Sequence, residues 1–188
     1  MIFPIYAFGQ PVLKKKAEPV ELQPDKLRPI ISDMLETMYY CKGVGLAAPQ
    51  IGLSIRLFVI DSSKLNADDE RKDKSEEGVK EVFINAEMLE ETGSMVSLEE
   101  GCLSIPNVYG HVERHKTIKI RYYNAQMERI EKEFTGFTAR VIQHEYDHIE
   151  GILFVEKIKP LKKQLIKRKL EDIKKGNINS RYKMKFVQ

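Results

Sequence analysis

No run of eighteen apolar residues occurs anywhere in these 188 residues, so the sequence offers no helix suited to crossing a membrane. The opening Met1-Ile2-Phe3-Pro4-Ile5-Tyr6 has no basic stretch, no sustained apolar segment and no small-residue cleavage site. It does not read as a signal peptide, and a cytoplasmic location is the expectation. Cysteine is scarce, with Cys41 and Cys102 alone. They allow at most one disulfide, which no secretory signal supports, so each is judged separately as core residue, ligand or nucleophile. No internal repeat is found. The length leaves room for little more than one domain, expected to span 1–188.

What the chain does have is an uneven charge. The net charge is +3, but residues 157–188 carry twelve Lys/Arg against two Asp/Glu, a balance of +10. The remainder must then stand at −7, an acidic body with a basic tail. With 42% apolar residues there is enough to build a core.

Leu27, Ile30, Ile31, Met34, Leu35 and Met38 recur at helical spacing and predict a helix over 25–41, stopped by Gly43. Residues 43–52 are too glycine-rich for a helix and too apolar for an ordinary exposed loop. A strand is expected at 55–61 and others near 81–86, 94–99, 117–124 and 127–134, with a hairpin turn between Tyr123 and Met127. The Ser-, Asp-, Glu- and Lys-rich stretch 62–80 reads as a solvated, mobile loop. Helices are expected at 137–149 and, after Pro160, at about 161–175. Strands in the middle and helices towards the ends indicate an α+β fold. In it, mixed or antiparallel strands pack around the helix at 137–149, with a C-terminal helix beyond.

His144-Glu145-Tyr146-Asp147-His148 carries the sharpest chemistry. On a helix, residues i and i+4 share a face, so both imidazoles can reach one metal ion, with Glu145 placed to take a proton from water there. A plain surface helix with two histidines would carry the same letters. A catalytic metal usually has three protein ligands. The metzincin extension would put a third histidine where Phe154 stands, although Gly151 fits. Glu156 lies too near for a thermolysin-like ligand, and Glu171 belongs to the basic helix. Cys102, in Ser97-Leu-Glu-Glu-Gly-Cys-Leu-Ser-Ile-Pro106 at the end of a predicted strand, is the better third ligand. A neighbouring divalent cation would deprotonate its thiol. Cys41, on the apolar side of a helix, reads as core. His111 and His115 read as surface residues. Arg114 and Tyr109 follow the Cys102 loop as substrate contacts or plain structural residues.

Three segments in this order, Gly43-Val44-Gly45-Leu46-Ala47-Ala48-Pro49-Gln50, Glu100-Gly101-Cys102-Leu103-Ser104 and Gln143-His144-Glu145-Tyr146-Asp147-His148, resemble the peptide deformylase family. The departures are a longer charged loop at 62–80 and Ile149 where leucine is frequent. The resemblance implies a metal on Cys102, His144 and His148 with water as fourth ligand, and Glu145 as general base and acid. It implies oxyanion donors at the Gln50 amide and the Leu103 backbone N–H, and a formyl slot at Gly45, which also pairs with the substrate backbone. It implies hydrolysis of the N-formyl group from N-formylmethionyl nascent chains. The cofactor would be one divalent metal, Fe²⁺ physiologically, with Zn²⁺, Ni²⁺ and Co²⁺ suited to the same ligands.

Val44, Leu98, Phe137 and Val141 are candidate walls of the methionine pocket, and Gly45 and Gly101 are counted with them as substrate-binding residues. Phe137, Val141, His144 and His148 fall at i, i+4, i+7 and i+11 on one helical face. Two rival readings are a zinc endopeptidase and a non-enzymatic protein with a structural zinc site that binds nucleic acid through the basic tail. In the helix at 161–175, Leu161, Leu165, Ile166, Leu170 and Ile173 are expected to pack on the body, with lysines turned outward to ribosomal RNA phosphates. All candidate catalytic residues precede Gly151, so a chain ending near Gly176 is expected to retain catalysis on short peptides.

Overall fold

The computed structural model describes residues 1–64 and 78–187. Of the loop expected at 62–80, residues 65–77 lie outside the described residues. The elements run β1 (Ile5–Tyr6), α1 (Pro24–Tyr40), β2 (Gly45–Ala47), β3 (Leu57–Asp61), β4 (Lys80–Cys102), β5 (Ile105–Tyr123), β6 (Arg129–Thr135), α2 (Gly136–Ile149), α3 (Pro160–Lys174) and β7 (Met184–Lys185). Short 3₁₀ turns lie at Pro11–Lys14, Ala48–Ile51, Ser62–Lys64 and Phe154–Glu156.

The fold is α+β, as the order of elements predicted. Strands β2-β3-β4-β5-β6 form one antiparallel sheet in that order, and β1 pairs in parallel with β7. Strand β3 shows why the sheet sits centrally. Leu57, Phe58, Val59 and Ile60 are all fully buried, a continuous apolar run that only a strand covered on both faces can afford. Leu57 and Val59 pack with Leu27, Met34 and Met38 of α1. Phe58 and Ile60 pack with Phe137, Val141 and Ile142 of α2.

The two strands expected at 81–86 and 94–99 are one strand, β4, interrupted by register shifts between Ile84 and Glu87, Met88 and Glu90, and Thr92 and Met95. Each shift resets the period-two pattern, so the sequence looks broken where the backbone continues through bulges. Strand β5 begins at Ile105, twelve residues before the strand expected at 117. Pro106, Asn107 and Gly110 disguise it, although Val108, Gly110, Val112 and Arg114 are all buried and alternate with exposed residues. The α3 prediction is only half met. Ile166 and Ile173 are buried, whereas Leu161 and Leu165 are 70% and 71% exposed. The first turns of α3 therefore do not use the apolar stripe that the sequence displays.

The terminal segments meet. Ile5 N–H donates to the Lys183 carbonyl and Ala7 N–H to the Lys185 carbonyl, each at 2.9 Å. The basic tail is thus folded back against the N-terminus rather than trailing from the body.

Candidate metal centre

Strand β4 delivers Cys102 at its end, and a two-residue turn, Leu103-Ser104, leads into β5. Helix α2 delivers His144 and His148 one turn apart. One potential ligand atom from each of the three residues lies within 4.8 Å of the others, and Cys102 Sγ is 3.2 Å from His148 Nε2. Gly151, which terminates α2 with φ of +73°, sits so close to the Lys14 carbonyl that a Cβ would fall 2.7 Å from its oxygen. Only glycine satisfies both constraints, and this fixes the exit of the ligand helix.

Behind the ligands lies a buried polar network. His144 Nδ1 pairs with Glu100 Oε2 at 2.9 Å. The same carboxylate accepts two hydrogen bonds from Arg114, at 2.6 and 3.0 Å, and one from Arg140 at 2.7 Å. Arg114 also reaches Asp147 of α2 at 2.8 Å, so one β5 guanidinium ties the ligand strand to the ligand helix. Burial alone would raise the Glu100 carboxyl, but the hydrogen bonds from His144 and Arg114 outweigh it and hold the group well below the usual carboxylate range. An ionised Glu100 orients the His144 ring and leaves its Nε2 for an ion, the usual support for a metal-bound imidazole.

The donor set fits a cation. Burial, reinforced by neighbouring His144, keeps His148 well below the usual imidazole range, so its lone pair is available. Burial also works to lower His144, but bonds to Cys102 and Glu100 prevail and raise it well above that range. Metal binding requires neutral imidazoles and an ionised thiol, and the three ligand atoms lie close enough to converge on one cation. Glu145, between the histidines in sequence, is 4% exposed, and its Oε2 has no hydrogen-bond partner among the described residues. Burial pushes its carboxyl up to about 7, with His144 opposing. A buried, unpartnered oxygen is costly unless water or a ligand meets it.

Gln50, in the 3₁₀ turn after β2, is held by its own backbone neighbourhood. Its Oε1 accepts the Ala47 N–H at 2.8 Å, which aims Nε2 at Cys102 Sγ and Ser104 Oγ, both 3.4 Å away. The amide therefore presents its donor, not its acceptor, to the metal site. Strand β2 is an edge strand whose pairing with β3 uses one side only.

These groups open into a cleft of about 980 Å³. Val44, Gly45, Gln50, Gly101, Cys102, Leu103, Phe137, Val141, His144 and Glu145 line it. His148 lies behind the cleft wall at 1% exposure. Leu98 is not at the cleft; it pairs with Val112 farther along the β4–β5 ribbon. Of the two residues after Cys102 read as substrate contacts or structure, Tyr109 lines the cleft and Arg114 is buried in the Glu100 network. Cys41 is buried in the core beside α1.

The rival third ligands are elsewhere. Phe154 is buried with its ring centroid 6.1 Å from that of His144. Glu156 pairs with Lys14 at 2.5 Å, and Glu171 is exposed on α3.

The C-terminal tail also reaches the cleft. Asn179, Ser180, Arg181 and Tyr182 line the same cleft, so the expectation that the chain beyond Gly176 is dispensable for catalysis does not fit the geometry. No local pattern in the tail marks this, because the contact joins residues some eighty positions apart.

Residues 2–164 match the family model described as polypeptide deformylase, a match that stops short of the tail. A peptide deformylase of Christiangramia forsetii is 52% identical over 190 residues, spanning 99% of this chain and 96% of that protein. The crystal structure of peptide deformylase from Thermotoga maritima superposes with a TM-score of 0.74 at 42% identity, over 85% of this chain and 99% of that one. A Met-Ala-Ser-bound class I type b peptide deformylase from Acinetobacter baumannii is also similar. It has a TM-score of 0.77 at 39% identity, over 84% of this chain and 99% of that one.

Proposed function

The chain belongs to the polypeptide deformylase family and hydrolyses the N-formyl group of N-formylmethionyl chains to formate and a free N-terminal methionine; from that premise we propose a role for each residue of the cleft. The neighbouring atoms of Cys102, His144 and His148 would hold one divalent metal, which we take to be Fe²⁺. When bound, the metal supplies Lewis acidity and makes water a competent nucleophile near neutral pH.

Glu145 accepts the proton of the attacking water on Oε2, the oxygen without another partner among the described residues, and returns it to the departing amine nitrogen. Gln50 Nε2–H donates to the formyl oxygen as it gains charge. Leu103 occupies position i+1 of the turn, where the turn's own hydrogen bond leaves the N–H unused, and that N–H is the second donor. The open edge of β2 at Val44 and Gly45 pairs with the substrate backbone. The observation that carries this reading is the convergence of Cys102 Sγ and His148 Nε2 at 3.2 Å beside the orphaned Glu145 oxygen. The experiment is formate release from formyl-Met-Ala-Ser alongside a casein digestion. Deformylation without proteolysis supports the reading, and the reverse rejects it.

Val44, Gly101, Phe137 and Val141 form the methionine pocket in this reading, with α2 contributing one wall. Val141→Trp is then expected to raise KM for formyl-Met-Ala-Ser by on the order of tenfold or more, since pocket discrimination of this size follows from small changes in volume. Steady-state kinetics with a melting curve on the same protein checks this. An unchanged KM in a folded variant places the pocket elsewhere.

We read the whole chain as one catalytic domain acting in the cytoplasm, where nascent chains emerge. Exposed lysines on α3, among them Lys162, Lys167 and Lys169, suit phosphate contact with ribosomal RNA. Binding to ribosomes is expected to fall steeply with salt and to weaken when Lys163 and Lys167 are both changed to Glu. Sedimentation with ribosomes tests this. Salt-insensitive binding, or equal binding by the double variant, removes α3 from that role.

A further inference from the structure

The Leu103-Ser104 turn is gripped from outside the sheet by both ends of the chain. Ser104 C=O accepts the Phe8 N–H at 2.9 Å, and Leu103 C=O accepts the Tyr182 hydroxyl at 2.8 Å. The two gripping segments are themselves joined. Ile5 and Tyr6 pair with Met184 and Lys185, and Gln10 Nε2 donates to the Phe186 carbonyl at 2.6 Å. Ile178, Met184 and Phe186 pack onto the cluster beneath β5 that also receives Cys102, so the strap is anchored in apolar contact. Tyr182 reaches Leu103 across 79 residues of sequence and lies beyond the matched family residues, which end at 164.

We propose that Tyr182 is a positioning residue for deformylation. By holding the carbonyl of Leu103, it fixes the plane and height of the active-site turn and keeps the Leu103 N–H aimed into the cleft. The inference rests on the reading of that N–H as an oxyanion donor. An external hydrogen bond at the carbonyl restrains rotation of the flanking peptides. An oxyanion donor acts only when it is already aimed at the site where charge develops, so looseness here costs rate rather than binding. The C-terminal strap thus does more than close the cleft wall at Asn179, Ser180 and Arg181.

The test compares Tyr182→Phe with Tyr6→Phe in the full metal-loaded enzyme. Tyr6 accepts a bond from Lys185 at 3.1 Å, so its variant removes a hydroxyl from the same strap without touching the turn. Tyr182→Phe is expected to lower kcat on formyl-Met-Ala-Ser by roughly threefold to tenfold, the size of one hydrogen bond. KM, metal content and melting temperature should match those of Tyr6→Phe, which keeps wild-type kcat. Hydrogen exchange of peptides covering 102–106 should speed up in Tyr182→Phe alone. Unchanged exchange overturns the grip on the turn. Faster exchange with unchanged kcat leaves the grip standing and overturns the oxyanion role of Leu103, and with it the catalytic consequence. Equal losses of kcat in both variants would make the strap a general stabiliser and reject the proposal.

Discussion

Glu145→Ala is expected to retain close to one metal per chain while losing roughly a hundredfold to ten-thousandfold of the deformylation rate, the usual contribution of general acid–base catalysis. Glu145 lies beside the metal group but is not part of it. Its Oε2 is buried without a partner among the described residues, so the side chain contributes little to folding where it stands. Removing it also removes the cost of a buried, unpartnered carboxylate. The melting temperature should therefore hold or rise, the pattern expected where a catalytic group is kept at the expense of stability. Metal analysis, formate release and a melting curve on one preparation check all three parts. Full activity would exclude Glu145 as the proton carrier, and loss of metal would make it a ligand.

Gly45→Ala should be nearly as damaging, for a reason that the sequence did not contain. A Cβ at position 45 would lie 2.7 Å from both Cδ and Cγ of Glu145. Glu145 is 4% exposed and sits on α2, packed against the sheet, so it has little room to yield. The added methyl must displace the carboxylate, push β2 away from α2, or both. A misplacement of an ångström at a reacting group costs on the order of a hundredfold in rate, and that is the expected loss in kcat. The family resemblance implied that Gly45 lines the formyl slot. The geometry adds that it also makes space for the base. A crystal structure of the variant would show the Glu145 side chain rotated or β2 shifted. An alanine accepted with unchanged kcat would mean that Glu145 does not need its present position.

The metal group was legible in the sequence because its logic is local. Two histidines four residues apart on a helix report their shared face directly, and Cys102 stands beside the Gly101 and Leu103 that complete a short motif. The α+β class was legible from the order of elements. What escaped detection depends on distant partners. Arg114 occupies an inward position of β5, and the choice between substrate contact and structural role is decided only by Glu100 and Asp147, which meet it from distant positions. The bulges in β4 reset its alternation and hid its length. The apolar stripe of α3 predicted packing for Leu161 and Leu165, but the body reaches only Ile166, Leu170 and Ile173. The tail was read by its charge, and charge says nothing of Tyr182 returning to the Leu103 turn.

The most direct test of the account is anaerobic reconstitution of the metal-stripped chain with Fe²⁺, counting bound metal and formate released from formyl-Met-Ala-Ser in the same sample. Activity is expected to rise linearly with iron and to saturate at one ion per chain. Cys102→Ser, which replaces a thiolate with a neutral hydroxyl, is expected to lose its tight hold on the ion. Formate release by the stripped chain, or tight stoichiometric metal in Cys102→Ser, would rule out the metal assignment.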